Sequence, residues 1–451
     1  MTFSSKKICH LIHKIDPLPI QGRITQAIGL VLEGHAAISS IGEICQISPT
    51  DQSAPLLGEV VGFREKKVLM MPLGELHGIG PGSAINSQGK RACAQVGEAL
   101  LGRIIDGMGN AIDGKSTPVI EIERPLYTAP PNAMERKRIS KPLDLGIRSI
   151  NGLLTCGLGQ RLGIFAGSGV GKSVLMGMVS RFTSADINVI ALIGERGREV
   201  KEFIEKELKE EGLRRSVLIV ATSEQAPLIR RRAAFLAITI AEYFRDCGKN
   251  VLFMMDSLTR LAHAQREIGL AIGEPPTTKG YTPSVFALLP KFLERAGNTS
   301  GQGSITGLYT VLVEGDDMND PIPDTARSIL DGHFVLSREL AAENHYPAID
   351  ILNSTSRVMT DIVNPRHLAS ARKLTQLLAT YKKSEDLINI GAYKPGSNHK
   401  IDESIAKIDQ IQDYLCQGMN KRTGFQESLD ALHQLFIPLP EKQNGEKRLT
   451  K

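Results

Sequence analysis

Residues 166–173 read AGSGVGKS and could do phosphate chemistry. Glycines let backbone N–H groups converge on phosphate oxygens, and a helix that begins at such a loop attracts anions. Lys172 would carry charge to the β- and γ-phosphates, and the hydroxyl of Ser173 would bind Mg²⁺. An apolar stretch precedes the loop at residues 162–165, and a helix-prone stretch follows at 174–178. The sequence therefore predicts a site for ATP and Mg²⁺.

Ala166 stands at the first position of this motif, where the strict pattern has Gly. We expect a methyl group at the end of a strand to fit there. The predicted nucleotide-binding residues are Ala166, Gly167, Ser168, Gly169, Val170, Gly171, Lys172, Ser173 and Val174.

Two carboxylates follow apolar stretches, at the position where α/β sheets present side chains to a ligand. Glu195 comes after residues 187–193 and would orient the attacking water as a base. Its alternative interpretation is a solvated charge cluster. Asp256 comes after residues 251–255 and would hold Mg²⁺, mostly through water. Its alternative interpretation is an N-cap for a helix that begins near Leu258.

The composition indicates a soluble protein of two to three domains. The chain has 451 residues, no Trp, 5% aromatic residues and a net charge of +5, which is weak support for a nucleic-acid or lipid partner. No apolar stretch approaches the roughly 20 residues that span a bilayer, and the N-terminus has no signal-peptide core. The cysteines show no disulfide or zinc spacing, so we expect a cytoplasmic protein. They are Cys9, Cys45, Cys93, Cys156, Cys247 and Cys416.

The first part of the chain predicts a short helix and then a small β-barrel. Short apolar strands, separated by Gly, Pro and charged turns, indicate the barrel. The turn-rich residues 106–110 and 118–131 are expected to mark the crossing into the next domain. The barrel strands are expected at residues 28–32, 44–47, 59–63 and 68–71.

From about residue 146 to 360, apolar strands alternate with helical patterns, which predicts a mostly parallel sheet covered on both faces. Its strands are expected at residues 162–165, 187–193, 217–220, 251–255 and 305–313. Helical patterns then follow at residues 368–381, 404–415 and 425–435. The predicted division is 1–22, an N-terminal segment; 23–90, the barrel; 91–363, the sheet domain with its linker; and 364–451, a helical domain.

The N-terminal segment carries an apolar stripe of Ile8, Leu11, Ile12 and Ile15, with basic residues on its other faces. Prolines at 17 and 19 end the pattern. This spacing predicts a short basic amphipathic helix. Three interpretations stay open, namely packing on its own domain, docking to a partner helix and lying on a membrane surface.

Residues 347–356, PAIDILNSTS, resemble the signature decapeptide of rotary ATPase subunits and the related secretion ATPases. Together with the phosphate loop and residues 194–196 and 256–260, the resemblance covers the chain from about residue 23. It implies a β-barrel, a RecA-like ATPase core and a helical C-terminal domain. It also implies a ring of six subunits with nucleotide sites between them.

Carried over by position, the resemblance makes Glu195 the catalytic carboxylate and Arg196 a supporting contact. Tyr346 would stack on adenine. Arg357, the residue after the decapeptide, would be an arginine finger that reaches the γ-phosphate of the neighbouring subunit, because a guanidinium stabilises the charge spread in phosphoryl transfer. The residues alone also allow core packing for Tyr346 and an ordinary ion pair for Arg357.

One chain holds both a complete phosphate loop and the finger, which suits a ring of identical subunits better than a rotary ATP synthase, where two subunit types divide these roles. Residues 191–205, 265–276 and 313–337 resemble the ATPases of bacterial type III export. Residues 165–174 are most similar to the flagellar branch. Cys156-Gly157 and residues 317–320 are similar to the virulence injectisome branch, which stays the alternative to flagellar export.

The resemblance also implies partners. Glu274-Pro275-Pro276 would line a central channel that receives a coiled-coil stalk protein, unless it is an ordinary surface loop. The N-terminal helix would dock to a regulator protein that tethers the ATPase near the membrane export gate, where export substrates and chaperones arrive. A hexameric RNA translocase is disfavoured because Phe63 is the only aromatic residue in 23–85, so stacking platforms are missing.

Overall fold

A computed structural model describes residues 21–35, 39–50, 54–313, 315 and 317–436. The predicted N-terminal helix and the last fifteen residues lie outside these ranges. Within them, the structure confirms the predicted fold class: a β-barrel, then a mostly parallel sheet covered by helices, then a helical C-terminal part.

Six antiparallel strands close the barrel in the order β1-β2-β5-β4-β3-β6. Alternate side chains point inward and form an apolar interior around Ile24, Leu32, Val60 and Met70. The strands are β1 Gln21–Ile28, β2 Val31–His35, β3 Glu43–Ser48, β4 Leu56–Arg64, β5 Lys67–Pro72 and β6 Ala84–Arg91.

The strand predicted at residues 28–32 is wrong, because the chain turns there. β1 ends at Ile28 and β2 begins at Val31, with Gly29 at φ 55° between them. Glycine adopts this left-handed conformation without a steric penalty, as two-residue hairpins require. The apolar residues on both sides concealed the turn.

The central sheet has the order β17-β16-β10-β15-β13-β11-β12-β8. All neighbours along this path are parallel except β16 and β17, and the short β14 pairs antiparallel with β15. β7 and β9 form a separate ribbon. The strands are β7 Cys93–Gln95, β8 Ile104–Asp106, β9 Glu123–Pro125, β10 Arg161–Ala166, β11 Ile187–Ile193, β12 Ser216–Ala221, β13 Asn250–Asp256, β14 Gly297–Asn298, β15 Ser304–Leu312, β16 Gly332–Leu336 and β17 Ile349–Ser356.

Helices cover both faces of the sheet. Those from the sheet domain are Arg148–Leu153, Lys172–Phe182, Gly197–Glu202, Lys209–Arg214, Pro227–Asp246, Leu258–Ile272, Pro283–Leu293, Pro321–Ile329, Arg338–Ala342 and Met359–Ile362. A π-helical turn at Phe203–Leu208 and 3₁₀ turns at Glu98–Leu100, Ala133–Glu135 and Thr278–Gly280 complete the set. The C-terminal helices are Pro365–Asn389, His399–Leu415 and Phe425–Gln434.

The turn-rich linker contains strand residues rather than only joining domains. β8 ends at Asp106 and pairs parallel with β12 as an edge strand, and β9 lies inside residues 118–131. β17, with the sequence IDILNSTS, was also not predicted as a strand. It is an edge strand and its outer half is partly exposed, so its sequence lacks the continuous apolar run of a central strand.

A buried ion pair fixes the barrel on the sheet domain. Glu59 of β4 is 1% exposed, and its carboxylate accepts hydrogen bonds from Arg231 at 2.8 Å and from the hydroxyl of Tyr127 at 3.1 Å. Arg64 makes a second link, because it bonds both Glu33 of the barrel and the carbonyl oxygen of Ile272. The barrel is therefore held to the helix Leu258–Ile272, which leads to the candidate site.

None of the helices in the described ranges has the length and hydropathy needed to cross a bilayer. Five cysteines fall within those ranges, and each is a free thiol.

Candidate functional site

The phosphate loop joins the buried end of β10 to the helix Lys172–Phe182. Gly169 and Gly171 have φ values of 80° and 87°, which L side chains rarely adopt, so the motif needs glycine at these two positions. Gly171 is the N-cap and has no side chain with which to bond the first helical amides. These amides are available to an anion, as the sequence predicts.

The substitution of Ala for Gly at 166 is accommodated. Ala166 is 1% exposed and belongs to the apolar core beneath the loop, and its carbonyl oxygen accepts a hydrogen bond from the amide of Val313 at 3.1 Å. The methyl group therefore packs without moving the end of the strand.

A cavity of about 900 Å³ opens above the loop, which is ample for a nucleotide. Its walls come from the ends of β10, β11 and β15 and from the helix Lys172–Phe182. The residues that line it are Ala166, Gly167, Ser168, Gly169, Gly171, Lys172, Ser173, Val174, Gly194, Glu195, Arg196, Glu199, Ser223, Arg260, Leu312, Val313, Gly315 and Arg338.

Lys172 lies between the two predicted carboxylates. Its Nζ is 2.5 Å from Oδ1 of Asp256 and 3.8 Å from Oε1 of Glu195. Burial opposes the charge of Lys172, but the two carboxylates outweigh burial and raise the pKa of the ammonium group. The structure thus brings the three predicted groups together around the ammonium group of Lys172, and Lys172 and Glu195 also line the cavity.

Asp256 is not the N-cap of the following helix. Ser257 caps the helix Leu258–Ile272, because its hydroxyl accepts a hydrogen bond from the amide of Arg260 at 3.3 Å. Asp256 is 5% exposed, and its Oδ1 also accepts a hydrogen bond from Thr310 at 2.7 Å. The carboxylate is therefore held between Thr310 and Lys172, which argues against the capping alternative.

Glu195 is not part of a solvated charge cluster. Its side chain is 16% exposed, whereas that of Arg198, three residues later, is 86% exposed and pairs with Glu202. Burial, then the negative charge of Asp256, raises the pKa of Glu195 to about 7. A carboxyl group with this pKa can exchange protons near neutral pH.

Tyr346 lies beside the phosphate loop rather than in the core. It is 41% exposed, and a Cβ added to Gly171 would be 3.4 Å from Cε1 of its ring. Its hydroxyl donates a hydrogen bond to the carbonyl oxygen of Ala341 at 3.3 Å. An exposed aromatic face next to the loop is suitable for stacking on a base.

Arg357 is not brought to the cavity of its own chain. Ser356 pairs with Gly332 at the start of β16, whereas Ala166 pairs with Leu336 at its end. Four strand residues separate these pairs, about 13 Å at 3.3 Å per residue. Arg357 is exposed there, and its Nη2 donates a hydrogen bond to the carbonyl oxygen of Arg327 at 3.2 Å.

Three charged side chains that line the cavity were not predicted from the sequence, namely Glu199, Arg260 and Arg338. Arg338 contacts the loop closely, since a Cβ on Gly167 would lie 2.6 Å from its Nη2. It follows β16, which neighbours β10 in the sheet. Arg338 lies just beyond a strand, as Glu195 does, and was predictable in the same way from a recognised β16.

The residues fit MgATP. Ser173 is exposed at the second position of its helix, and Asp256 lies on the same side of the loop as Lys172. The described residues contain no cluster of three or more His, Cys, Asp or Glu side chains suited to a metal. Ser173 and Asp256 would nevertheless be enough for Mg²⁺, because this ion usually keeps several waters and takes only one or two protein ligands beside the phosphates. Bound Mg²⁺ would neutralise charge on the phosphoryl oxygens.

Three parts of the described chain match known family models. Residues 24–89 match the β-barrel domain of the ATP synthase alpha/beta family, and residues 146–356 match its nucleotide-binding domain. Residues 363–434 match the C-terminal domain of the EscN ATPases of type III secretion systems. The three matches follow the order of the barrel, the sheet and the C-terminal helices.

Individual relatives are similar to this chain over almost its full length. The flagellum-specific ATP synthase of Bacillus subtilis (strain 168) is 52% identical over 432 residues, 96% of this chain and 98% of that protein. The assembled ATPase EscN of the enteropathogenic E. coli type III secretion system is 48% identical, with a TM-score of 0.87 and coverage of 92% and 99%. EscN in complex with its central stalk EscO is 47% identical, with a TM-score of 0.85 and the same coverage.

Proposed function

The chain is an ATPase of the type III export branch of the ATP synthase alpha/beta family, and we propose that it powers protein export by a bacterial flagellum. The observation that carries the proposal is the 52% identity with a flagellum-specific relative over nearly all of both chains. The injectisome alternative is not better supported, because EscN is 48% identical over 92% of this chain.

We propose that Lys172 and the loop amides bind the phosphates of ATP, that Ser173 and Asp256 hold Mg²⁺, and that Glu195 orients the attacking water. The contacts of Lys172 with both Glu195 and Asp256 support these roles. Arg196 lines the same cavity and would support the phosphate end, while Tyr346 would stack on adenine.

We also propose that six copies form a ring with each nucleotide between two subunits. The placement of Arg357 supports this, because a finger about 13 Å along the sheet from its own loop is better placed to serve a neighbour. EscN, which is similar over 92% of this chain, has been solved as an assembled ATPase. Each subunit of the ring would then consist of the predicted segments 1–22, 23–90, 91–363 and 364–451.

The ring would receive a stalk protein in its centre and act at the cytoplasmic side of the membrane export gate, with export substrates and chaperones as further partners. The complex of EscN with its central stalk EscO supports the stalk. Pro275 and Pro276 lie in an exposed loop, which leaves the predicted channel surface accessible.

The export role is tested by replacing Lys172 with Ala on the chromosome. Removing the phosphate-binding ammonium should lower ATP hydrolysis by about 100-fold or more. Hook and filament proteins should then disappear from the culture medium, as measured by immunoblotting. Lys201→Ala is the matched control, because that lysine side chain is 75% exposed on a neighbouring helix and should support normal export. Loss of injectisome substrates, with filament proteins still exported, would favour the alternative branch.

The docking role of the N-terminal helix is tested by deleting residues 1–18. Four apolar side chains on one face could contribute several kcal/mol to a partner groove at about 25 cal/mol per Å². The truncated protein should hydrolyse ATP at the normal basal rate but no longer be captured by the export regulator in a pull-down assay.

The full-length variant Leu11→Asp should reproduce this loss, whereas Lys7→Ala, on the polar face, should bind normally. If the truncated protein unfolds, the helix packs on its own domain. If it still binds the regulator, the docking proposal is wrong.

A further inference from the structure

The helix Leu258–Ile272 connects the nucleotide cavity to an exposed loop. At its first turn, the side chain of Arg260 packs on Gly194, where an added Cβ would lie 2.7 Å from Cβ of Arg260. Gly194 directly precedes Glu195, so Arg260 is packed against the segment that carries Glu195. At its other end the helix stops at Gly273, whose φ of 93° turns the chain into residues 274–280. We call residues 273–280 the channel loop.

The channel loop is tied back at Tyr281. The amide and the hydroxyl of Thr277 both donate hydrogen bonds to the carbonyl oxygen of Tyr281, each at 2.7 Å. Residues 275–279 are exposed, whereas Tyr281 is 5% exposed. The exposed part of the loop is therefore tied to the backbone of a residue whose aromatic ring is buried.

The ring of Tyr281 is bound to the same helix that carries Arg260. Its hydroxyl is 3.1 Å from Nε2 of His263, the two rings lie 25° from parallel, and the guanidinium of Arg266 lies 5.2 Å from the ring centre. His263 follows Arg260 by three residues, so both project from the same face of the helix. Burial, with the positive charges of Arg266 and Arg260, lowers the pKa of His263 to about 4. The imidazole is thus neutral at pH 7 and can bond the hydroxyl.

We propose that the hydrogen bond between Tyr281 and His263 is a positioning link that transmits movement of the channel loop to Arg260 and thereby sets how strongly the stalk stimulates ATP hydrolysis. The proposal rests on the proposed function, because it takes the channel loop to be the surface that meets the stalk. His263 acts through Arg260 and does not touch the cavity. If the stalk binds one position of the channel loop more tightly than another, it favours the arrangement of Arg260 that accompanies that position. The nucleotide site then shifts toward that arrangement.

Tyr281→Phe tests the link, because it removes the hydroxyl and keeps the ring. ATP hydrolysis is measured with and without the purified coiled-coil stalk subunit of the same export system. Without stalk, the kcat should equal that of the wild type. With stalk, the stimulated kcat should fall by about fivefold, the lower end of the usual range for coupling between sites, with the KM for ATP unchanged.

Three further variants show whether the hydrogen bond itself is responsible. His263→Leu should lose as much stimulation as Tyr281→Phe, and the double variant should lose no more than either, since both remove one interaction. His263→Gln, whose amide can bond the hydroxyl, should recover most of the stimulation. Tyr309→Phe is the matched control, because among the described residues the buried Tyr309 hydroxyl has no hydrogen-bond partner. It should behave like the wild type.

Full stimulation of Tyr281→Phe would overturn the link, as would an equal loss of the basal and stimulated rates. A wild-type ATPase that no stalk subunit stimulates would also overturn it, although the chain would still be an ATPase. Failure of the wild type to hydrolyse ATP would instead contradict the proposed function itself.

Discussion

Replacing Glu195 with Gln is expected to raise the barrier to ATP hydrolysis by about 3 to 5 kcal/mol, lowering kcat by at least about 100-fold. The amide keeps the size of the side chain but cannot take a proton from the attacking water. MgATP should still bind, because the loop amides and Lys172 are intact. Turnover is measured by phosphate release, and binding by the fluorescence of a labelled nucleotide.

The pH dependence gives a second readout of the same residue. The pKa of Glu195 is raised to about 7 by burial and by Asp256, and the base is the ionised form, which is populated above that pKa. The kcat/KM of the wild type should therefore rise between pH 6 and 8, and Glu195→Gln should lose this rise. Glu205→Gln is the matched control, because that carboxylate is 61% exposed and should leave rate and profile unchanged. Near-normal hydrolysis by Glu195→Gln would remove Glu195 from the catalytic role.

The sequence was most informative where a strand is buried on both faces. β11 has the bounds that its apolar run predicts, Ile187–Ile193, and β13 ends at the predicted carboxylate Asp256. Both positions follow from one physical fact, that a central parallel strand is mostly apolar along its length and is followed by charged side chains at the edge where ligands bind. Glu195 and Asp256 could therefore be placed beside the loop without a structure.

Pairing between strands could not be predicted in the same way. The distance between Arg357 and its own phosphate loop depends on the antiparallel register of β16 and β17, and a half-exposed edge strand such as β17 gives little sequence signal. The link between Tyr281 and His263 is also tertiary, because it joins residues 18 positions apart across a loop and a helix. Contacts of this kind are set by packing rather than by local pattern.

Mixing two inactive variants, Arg357→Ala and Glu195→Gln, is expected to restore part of the ATPase activity. Each nucleotide site would take its water-orienting carboxylate from one subunit and its arginine from the next. In a mixed ring, an interface that joins the intact Glu195 of one subunit to the intact Arg357 of its neighbour has every group needed. At equal proportions about a quarter of the interfaces have this composition, so we expect recovery of up to roughly 25% of the wild-type rate if sites act independently.

The proportion of the two variants distinguishes this arrangement from a finger that serves its own site. If Arg357 acted in the same subunit, each subunit would lack one group at every ratio, and activity would stay at the level of the separate variants. Recovery should instead peak at equal proportions and fall toward either end, since the product of the two fractions is largest there. Arg327→Ala is the control for local damage. The carbonyl oxygen of Arg327, not its guanidinium, accepts the hydrogen bond from Arg357, so this variant should keep Arg357 in place. If mixed rings form, as shown by co-purification of two differently tagged subunits, and no ratio recovers hydrolysis, Arg357 is not supplied to the neighbouring site.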